Sequence, residues 1–430
     1  MNRLPASVPS CSKSSEDVQE QVVNVLVLNS GSSSIKYQLF DMGQRALLAG
    51  GVAERIGESG SRLVHVQRDR SGKLREETKS GDLSDHAEAI DRIAGLLADA
   101  GVAWDASELL GIGHRVVHGG EAFREPCLID ARVIETIRRL SSLAPLHNPA
   151  NLLGIEVAMA RQPNVPQVAV FDTAFHHSIP PRAYRYAVPE EWYQSHGVRR
   201  YGFHGTSCAY VAKQAARELG RPLEELNLIV LHLGNGASVT AIERGKSVDT
   251  SMGMTPLEGL VMGTRSGDID PGVIVYLALQ VGMSVEKIDA DLNGVSGLFG
   301  LCGVGDVRDV LGREAAGDGR ARLALDVYTY RMRKYIGAYM AVLGHVDAIV
   351  FTAGVGEHSA DIRERACQGL EGLGVQLDEA RNRAGAKGVR SIHRRGAPLA
   401  VLVVPTNEEL EIAEQTLECI EKNPVEFDGE

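Results

Sequence analysis

The order of apolar and polar positions along the chain predicts two hairpins of the same construction. Residues 22–28 form an apolar, β-branched run, residues 29–34 are small and polar, and residues 35–40 alternate again. This order of strand, small-residue turn and strand is typical of a hairpin. It returns at residues 228–242, about two hundred positions later, which indicates two lobes of similar construction.

Helical and strand patterns separate and follow these hairpins. Helices are predicted at residues 85–100, 131–140, 209–219 and 407–420, and buried strands at residues 166–171, 348–351 and 402–404. The fold class is therefore α/β with two lobes, and small ligands usually bind in a cleft between lobes. We expect a disordered extension at residues 1–21, a first lobe at 22–172 and a second lobe at 173–408, with a C-terminal helix at 409–430 that rejoins the first lobe.

Composition and charge exclude several classes of protein. Hydrophobic residues make up 44% of the 430 positions, which is enough for a core in each lobe. The net charge of −11 repels a phosphate backbone, so we expect no nucleic-acid partner. We also expect no membrane span, because no apolar run reaches roughly 18 residues. The six cysteines are dispersed without a CxxC pair and residues 1–21 lack an apolar signal core, so the predicted location is the cytoplasm.

Three glycine-rich segments follow predicted buried strands, at residues 29–34, 234–238 and 354–358. Glycine lets the backbone curl around an anion, and the exposed amides donate hydrogen bonds to it. Any one of these segments is more often an ordinary tight turn, but three of them favour a nucleotide-binding cleft. The chain contains neither a GxxxxGK[ST] motif nor a dinucleotide-binding fingerprint.

Arg115 and Arg265 each lie in a glycine-flanked segment with few long side chains. A guanidinium in such a place can bind a carboxylate or phosphate through two parallel hydrogen bonds. The alternative is a structural ion pair, for example between Arg265 and Asp268 or Asp270.

Polar residues at other predicted strand ends allow two interpretations each. Asp172 follows an apolar strand and is either a cap or a site residue that faces the cleft. His204, taken alone, is more often a structural residue. Residues 406–409 (TNEE) offer oxygen ligands that suit magnesium, or they cap a helix whose first turn favours acids.

Seven ordered segments across roughly residues 23–420 resemble the acetate kinase family. They are residues 29–36, 114–120, 171–176, 202–207, 232–236, 250–260 and 263–268. The resemblance implies an actin-like (ribonuclease H-like) fold of duplicated domains with the active site between them, and a homodimer. It also implies reversible, direct in-line phosphoryl transfer from ATP to acetate, which gives acetyl phosphate and ADP.

The resemblance assigns roles at the reacting centre. Arg115 is similar to the residue that holds the substrate carboxylate, Arg265 and His204 to those that stabilise the transferring phosphoryl group, and Asp172 to the catalytic aspartate. The small apolar pocket of the family matches Val117, Leu146, Phe203 and Pro256. Acetate is already ionised at pH 7, so no general base is required and we expect Asp172 to orient an arginine or a magnesium-bound water.

The resemblance also assigns the nucleotide and metal sites. Asn29 and Glu408 match the magnesium site, where manganese is an alternative ion. The ATP-binding positions match Lys36, His232, Leu233, Gly234, Asn235, Gly236, Asp306, Val307, Arg308, Gly354, Val355, Gly356, Glu357 and His358. The sequence departs from the family pattern at Cys208, Gly305 and His358, which concerns the nucleotide side more than the reacting centre.

Two other functions compete with acetate phosphorylation. A propionate or butyrate kinase of the same family differs only in pocket volume, and a methylene group changes specificity by ~1–3 kcal/mol. A nucleotide-gated interaction protein on the same fold is the alternative from another class. The two arginine segments suited to small anions speak against it.

Overall fold

The computed structural model describes residues 23–68, 73–99, 101, 104, 105 and 107–424. The predicted extension at residues 1–21 and the last six residues of the predicted C-terminal helix lie outside the described residues. The strands of the first sheet are β1 Asn24–Ser30, β2 Ser34–Asp41, β3 Ala46–Glu54, β4 Arg62–Arg68, β5 Leu74–Ser80, β6 Leu109–Val116, β7 Cys127–Leu128 and β8 Gln167–Phe171. Those of the second sheet are β9 Asn227–Leu233, β10 Ala237–Glu243, β11 Lys246–Thr250, β12 Ala348–Thr352, β13 Arg390–Ser391 and β14 Ala400–Val403.

The two sheets share a common core of strands, to which β4 and β5 are added in the first sheet. The first has the strand order β5-β4-β3-β2-β1-β6-β8-β7 and the second has β11-β10-β9-β12-β14-β13. In each sheet an antiparallel three-stranded meander is followed by two further strands that run parallel to the first strand of the meander. This repeat confirms the predicted two-lobed α/β fold. The carboxyl ends of the parallel strands in a sheet lie at one edge, where ligands bind in such folds.

Helices cover both sheets. They are α1 His86–Asp99, α2 Ala131–Leu140, α3 Asn148–Arg161, α4 Pro181–Tyr184, α5 Glu190–His196, α6 Gly205–Leu219, α7 Pro271–Tyr276, α8 Val285–Gly294, α9 Gly297–Cys302, α10 Val307–Ala315, α11 Gly319–Leu343, α12 Ala353–His358, α13 Ala360–Cys367, α14 Glu379–Arg383 and α15 Glu408–Lys422. A π-helical turn, Leu277–Val281, continues α7. Within the described residues, no helix is both long enough and apolar enough to cross a membrane.

Two predicted elements differ from the structure. The third glycine-rich segment, residues 354–358, is part of the one-turn helix α12 and not a strand-end turn. Ala353, at φ 62°, turns the chain out of β12 and directs it into this helix. Helix α6 begins at Gly205, before the predicted residue 209. The sequence does not predict this first turn as helical, because its small residues have weak helix propensity.

Helix α15 follows the second sheet in sequence but packs against the first sheet. Its residues Ile412 and Ile420 lie in one apolar cluster with Val25 and Val168. A Cβ atom on Gly111 of β6 would lie 2.4 Å from Ile420 Cδ1, so this glycine permits the close approach of helix and sheet. The N-terminus of α15 is thereby held near the carboxyl end of β6.

The second lobe has its largest apolar cluster between its sheet and α11. Leu325, Met332 and Ile336 of this helix pack with Ile229 and Phe351 of the sheet. The opposite face of the sheet is covered by α6. The helix that supports the second lobe therefore passes directly beneath the strands whose ends carry the predicted nucleotide turns.

Candidate active site

The predicted site residues of the first lobe lie at the carboxyl ends of its parallel strands. Asn29 is at the end of β1, Arg115 at the end of β6, and Asp172 directly after β8. In the second lobe, His232 and Leu233 end β9, next to the turn that contains Gly236.

Arg115 and Asp172 form a two-point ion pair. Arg115 Nε donates to Asp172 Oδ1 at 3.1 Å, and Nη2 donates to Oδ2 at 2.5 Å. Thr206 donates a further hydrogen bond to Oδ1 at 3.2 Å. Burial acts to lower the pKa of Arg115, but the charges of Asp172 and Glu408 outweigh it and raise that pKa. Both carboxylate oxygens are engaged, so Asp172 has the contacts of a group that orients an arginine.

His204 lies at the start of α6 in the left-handed region, with φ 58°. Its Nδ1 atom is 3.0 Å from Ser238 Oγ, and its ring stacks on that of His232 with the centroids 4.0 Å apart. Burial lowers the pKa of His204 well below its ordinary value, and the nearby His232, Arg115 and Arg265 lower it further. The imidazole is therefore neutral at pH 7 and within the electrostatic reach of both arginines.

Arg265 is half-buried and lies beside the turn after β9. A Cβ atom on Gly236 would lie 3.4 Å from Arg265 Nη1 and 3.6 Å from His204 Nε2. Arg265 Nη1 donates to the Pro256 carbonyl oxygen at 3.3 Å. Because Gly236 has no side chain, the space in front of the arginine and the histidine stays open.

The alternative role of Arg265 as a structural ion pair does not occur in the described part of the chain. Asp268 pairs with Arg331 instead, at 2.7 Å. Asp270 caps α7 by accepting from Gly272 N at 2.9 Å. Burial lowers the pKa of Arg265. It remains a cation at pH 7 whose charge is not neutralised by a described carboxylate.

Glu408 and Asn29 lie close to the same arginine. Glu408 is the first residue of α15. Burial raises its pKa to about 7; Arg115 and Lys36 act to lower this pKa, and Asp172 and Glu409 act to raise it. Asn29 Oδ1 accepts from Arg115 Nη1 at 3.4 Å. Among the described residues no three histidine, cysteine, aspartate or glutamate side chains form a metal cluster. The Asn29 amide oxygen and the buried Glu408 carboxylate are nevertheless oxygen ligands that fit magnesium, which keeps waters and phosphate oxygens as its other ligands.

A cavity of about 580 Å³ lies in the second lobe, beside the turn after β9. Its predicted lining residues are Gly234, Asn235, Asp306, Val307, Arg308, Gly354, Val355 and His358. Leu311 and Tyr328 line it as well and were missed, because apolar residues on amphipathic helices carry no separate sequence signal. Gly356 and Glu357 are engaged elsewhere, with Arg363 and Thr406, and Lys36 is exposed on β2. The cavity volume suits a nucleoside.

The predicted apolar pocket is only partly enclosed. Val117 and Phe203 are buried and Pro256 is half-buried, whereas the side chain of Leu146 is 74% exposed. Asn151 was missed although it ties this pocket to the first hairpin, because it accepts from Val117 N at 3.1 Å and donates to Ser30 O at 2.7 Å. The feature of the sequence that could have identified Asn151 is a polar amide next to the apolar residues of α3.

The chain is similar to known proteins over both lobes. Residues 24–414 match the sequence profile of the Acetokinase family. A relative from Streptomyces coelicolor, named acetate kinase, is 56% identical over 93% of this chain and 97% of its own length. A relative of the same name from Thermotoga maritima is 53% identical over 93% of this chain and 99% of its own length.

Solved structures agree with the sequence relatives. The acetate kinase of Porphyromonas gingivalis has a TM-score of 0.86 and 42% identity, covering 93% of this chain and 100% of that one. A propionate kinase from Francisella tularensis has a TM-score of 0.86 and 40% identity, covering 92% of this chain and 99% of that one. The residues 24–414 that match the family profile include the strand ends and loops that carry the candidate site.

Proposed function

Because the chain belongs to the acetokinase family, we propose that it is an ATP-dependent kinase that phosphorylates acetate reversibly, giving acetyl phosphate and ADP. One observation carries the assignment of the site. Arg265 Nη1 and His204 Nε2 border the same open space, since a Cβ atom on Gly236 would lie 3.4 Å from one and 3.6 Å from the other. The charge of Arg115, from the other lobe, also reaches His204 and lowers its pKa. Two cations around one neutral imidazole form the environment that a transferring phosphoryl group requires.

Arg115 is the proposed anchor for acetate. Its ion pair with Asp172 holds the guanidinium in one orientation, and Val117 and Phe203 supply an apolar surface for the methyl group. Acetate has a carboxyl pKa of ~4 and is ionised at pH 7, so its oxygen attacks the γ-phosphorus without a general base. Asp172 therefore orients Arg115 and takes no proton.

Arg265 and His204 are the proposed donors to the transferring group. The bond from the γ-phosphorus to the bridging oxygen of ATP breaks as the bond to acetate forms, and negative charge spreads over the equatorial oxygens. A neutral His204 donates one N–H without repelling either arginine. Both groups border the open space at Gly236, which belongs to the turn beside the nucleotide cavity.

Asn29 and Glu408 are the proposed protein ligands of magnesium. The bound ion supplies positive charge to the ATP phosphates, and manganese suits the same oxygen ligands. The raised pKa of Glu408 supports this proposal, because burial disfavours its negative charge more than Arg115 and Lys36 favour it, and a bound cation would stabilise the carboxylate.

Hydroxamate trapping with ATP and acetate, propionate or butyrate tests the proposed function. We expect acetyl hydroxamate to form, and kcat/KM to fall from acetate to propionate to butyrate. The absence of any acyl hydroxamate would contradict the kinase assignment. A higher kcat/KM for propionate would instead identify a propionate kinase like the Francisella tularensis relative, a result compatible with the exposed Leu146.

A homodimer is the proposed assembly, and the exposed surface of the second lobe supports it. Apolar side chains are exposed in succession along α7, the π-helical turn and α8: Val273, Val275, Tyr276, Leu279, Val281 and Val285. Soluble proteins rarely leave such a continuous patch uncovered. Light scattering should give the mass of a dimer for the wild type and of a monomer for Leu279→Glu, while the control Leu373→Glu, on another exposed surface, stays dimeric.

A further inference from the structure

The loop that carries Arg265 is closed at its base by one carboxylate. Asp268 Oδ1 accepts from Gly259 N at 2.8 Å, and Asp268 N donates to Gly259 O at 3.0 Å. These two hydrogen bonds join the ends of residues 259–268, with Arg265 between them. Any change in the position of Asp268 therefore moves the base of the arginine loop.

The same carboxylate is anchored to the long helix beneath the second sheet. Arg331 Nη1 donates to Asp268 Oδ2 at 2.7 Å, and the Tyr335 hydroxyl lies 3.0 Å from Oδ2 and 3.2 Å from Oδ1. Arg331 and Tyr335 are four positions apart on α11, so their side chains leave the same face of the helix. Helix α11 is in turn packed into the core of the lobe by Met332 and Ile336.

Backbone contacts leave the loop little freedom on its other side. Leu298 N donates to Met262 O at 3.0 Å, and Met262 N donates to Arg265 O at 3.1 Å. A Cβ atom on Gly267, at φ 70°, would lie 2.5 Å from the carbonyl oxygen of Leu260. The loop thus packs against α9 and is stabilised by hydrogen bonds between its own residues. Its Asp268 carboxylate connects it to α11.

We propose that Asp268 is a positioning residue for phosphoryl transfer: it fixes the loop of residues 259–268 on α11 so that the Arg265 guanidinium faces the transferring group. This inference rests on the proposed function, because it assumes that Arg265 contacts that group. Arg265 itself forms no ion pair in the described chain, and its one hydrogen bond to a main-chain oxygen, from Nη1 to Pro256 O, is long. Its orientation therefore depends on its loop, in contrast to Arg115, which Asp172 holds directly.

The main test is the kinetics of Asp268→Asn, which keeps the size of the side chain and removes its charge. We expect kcat to fall by about 10- to 100-fold, the range for a misplaced catalytic group. The KM for acetate should change by less than about threefold, because the acetate anchor belongs to the other lobe. Tyr335→Phe removes one donor and should lower kcat by roughly threefold to tenfold.

Asp270→Asn is the matched control. It makes the same chemical change two positions away, where the carboxylate caps the exposed end of α7 and does not contact the loop base. We expect its kcat to equal that of the wild type. Equal kcat values for Asp268→Asn, Tyr335→Phe and the wild type would overturn the proposal, as would a loss confined to the KM for acetate.

A double-mutant cycle separates positioning from a general structural role. If Asp268 acts through Arg265, adding Asp268→Asn to Arg265→Ala lowers kcat no further than about twofold. If the two losses multiply instead, Asp268 acts independently of Arg265 and the inference fails. Failure of the proposed function is recognised separately, because the wild type would then form no acetyl phosphate or Arg265→Ala alone would have no effect.

Discussion

The two arginines at the candidate site are held in different ways. Arg115 of the first lobe is fixed by two hydrogen bonds to the buried Asp172. Arg265 of the second lobe has no carboxylate partner in the described residues and is held through its loop. In the proposed mechanism, Arg115 binds the carboxylate of acetate, which gives up its negative charge as its oxygen bonds to phosphorus. The charge of Arg265 is available for the equatorial oxygens of the phosphoryl group, over which negative charge spreads during transfer.

This difference follows from the sequences around the two residues. Arg115 lies at the end of β6, and the neighbouring parallel strand β8 places Asp172 beside it. Arg265 lies in a loop rich in glycine, where a direct partner would fill the open space in front of it. Because no described carboxylate pairs with it, the Arg265 guanidinium keeps its full charge for a ligand, whereas Arg115 uses Nε and Nη2 to bind Asp172.

The comparison predicts the largest effect for Arg265→Ala. If this residue stabilises the transition state, kcat should fall by about 10³-fold or more, by analogy with other arginines that contact a transferring phosphoryl group. The KM for acetate should change little. Steady-state kinetics measures both, with Arg221→Ala as a control because Arg221 pairs with Asp347 away from the site. A loss of kcat below tenfold would remove Arg265 from the transition state.

A smaller but distinct effect is expected for Asp172→Asn. The amide cannot balance the charge of the largely buried Arg115, so the guanidinium should lose its fixed orientation and kcat/KM for acetate should fall by about 10²-fold. The assay is run with saturating magnesium, so that weaker metal binding does not account for the loss. Near-normal turnover under these conditions would show that the ion pair is dispensable.

Val117→Ala tests the apolar part of the acetate site. Removing two methyl groups enlarges the pocket, so the ratio of kcat/KM for propionate to that for acetate should rise by roughly fivefold to tenfold. Competition between the two acids in the hydroxamate assay gives this ratio directly. Since Val117 is buried, a thermal melt must accompany it. An unchanged ratio in a folded variant would mean that the methyl group of acetate binds elsewhere.

No titration is expected for His204 between pH 6 and 8. Burial, His232 and the two arginines lower its pKa, so the folded protein keeps the ring neutral throughout this range. A ring whose pKa is lowered by folding destabilises the folded state only at acidic pH, where the unfolded chain binds the additional proton. Nitrogen NMR of labelled histidines, assigned with His204→Gln, measures the protonation. A transition near pH 6.5 would contradict the neutral donor.

Local patterns were sufficient to predict the architecture and most strand-end residues. Asn29 and Asp172 follow short apolar runs, and strand ends of one sheet edge approach each other in any fold of this class. The helix α12 was not predicted, because its two glycines resemble a turn and the change of direction depends on the unusual φ of Ala353.

The connections between distant residues could not be read from the sequence. Asp268 and Arg331 are 63 positions apart, and neither has a local feature that identifies the other. From the sequence alone, Asp268 is a candidate partner of Arg265, its neighbour in the loop. The partner of Asp268 is Arg331, which the packing of α11 beneath the loop brings within hydrogen-bond distance. The way in which the Arg265 loop is held can therefore be seen only in the folded structure.

In the proposed mechanism, acetate attacks ATP directly and no phosphorylated enzyme forms. Both oxygens of Asp172 are engaged by Arg115 and Thr206, which leaves this carboxylate unsuited as a nucleophile. The most direct measurement is the stereochemical course of transfer from ATP with a chiral, isotopically labelled γ-phosphoryl group. A single displacement predicts inversion at phosphorus, whereas retention would mean two displacements through a phosphorylated residue and would contradict the account.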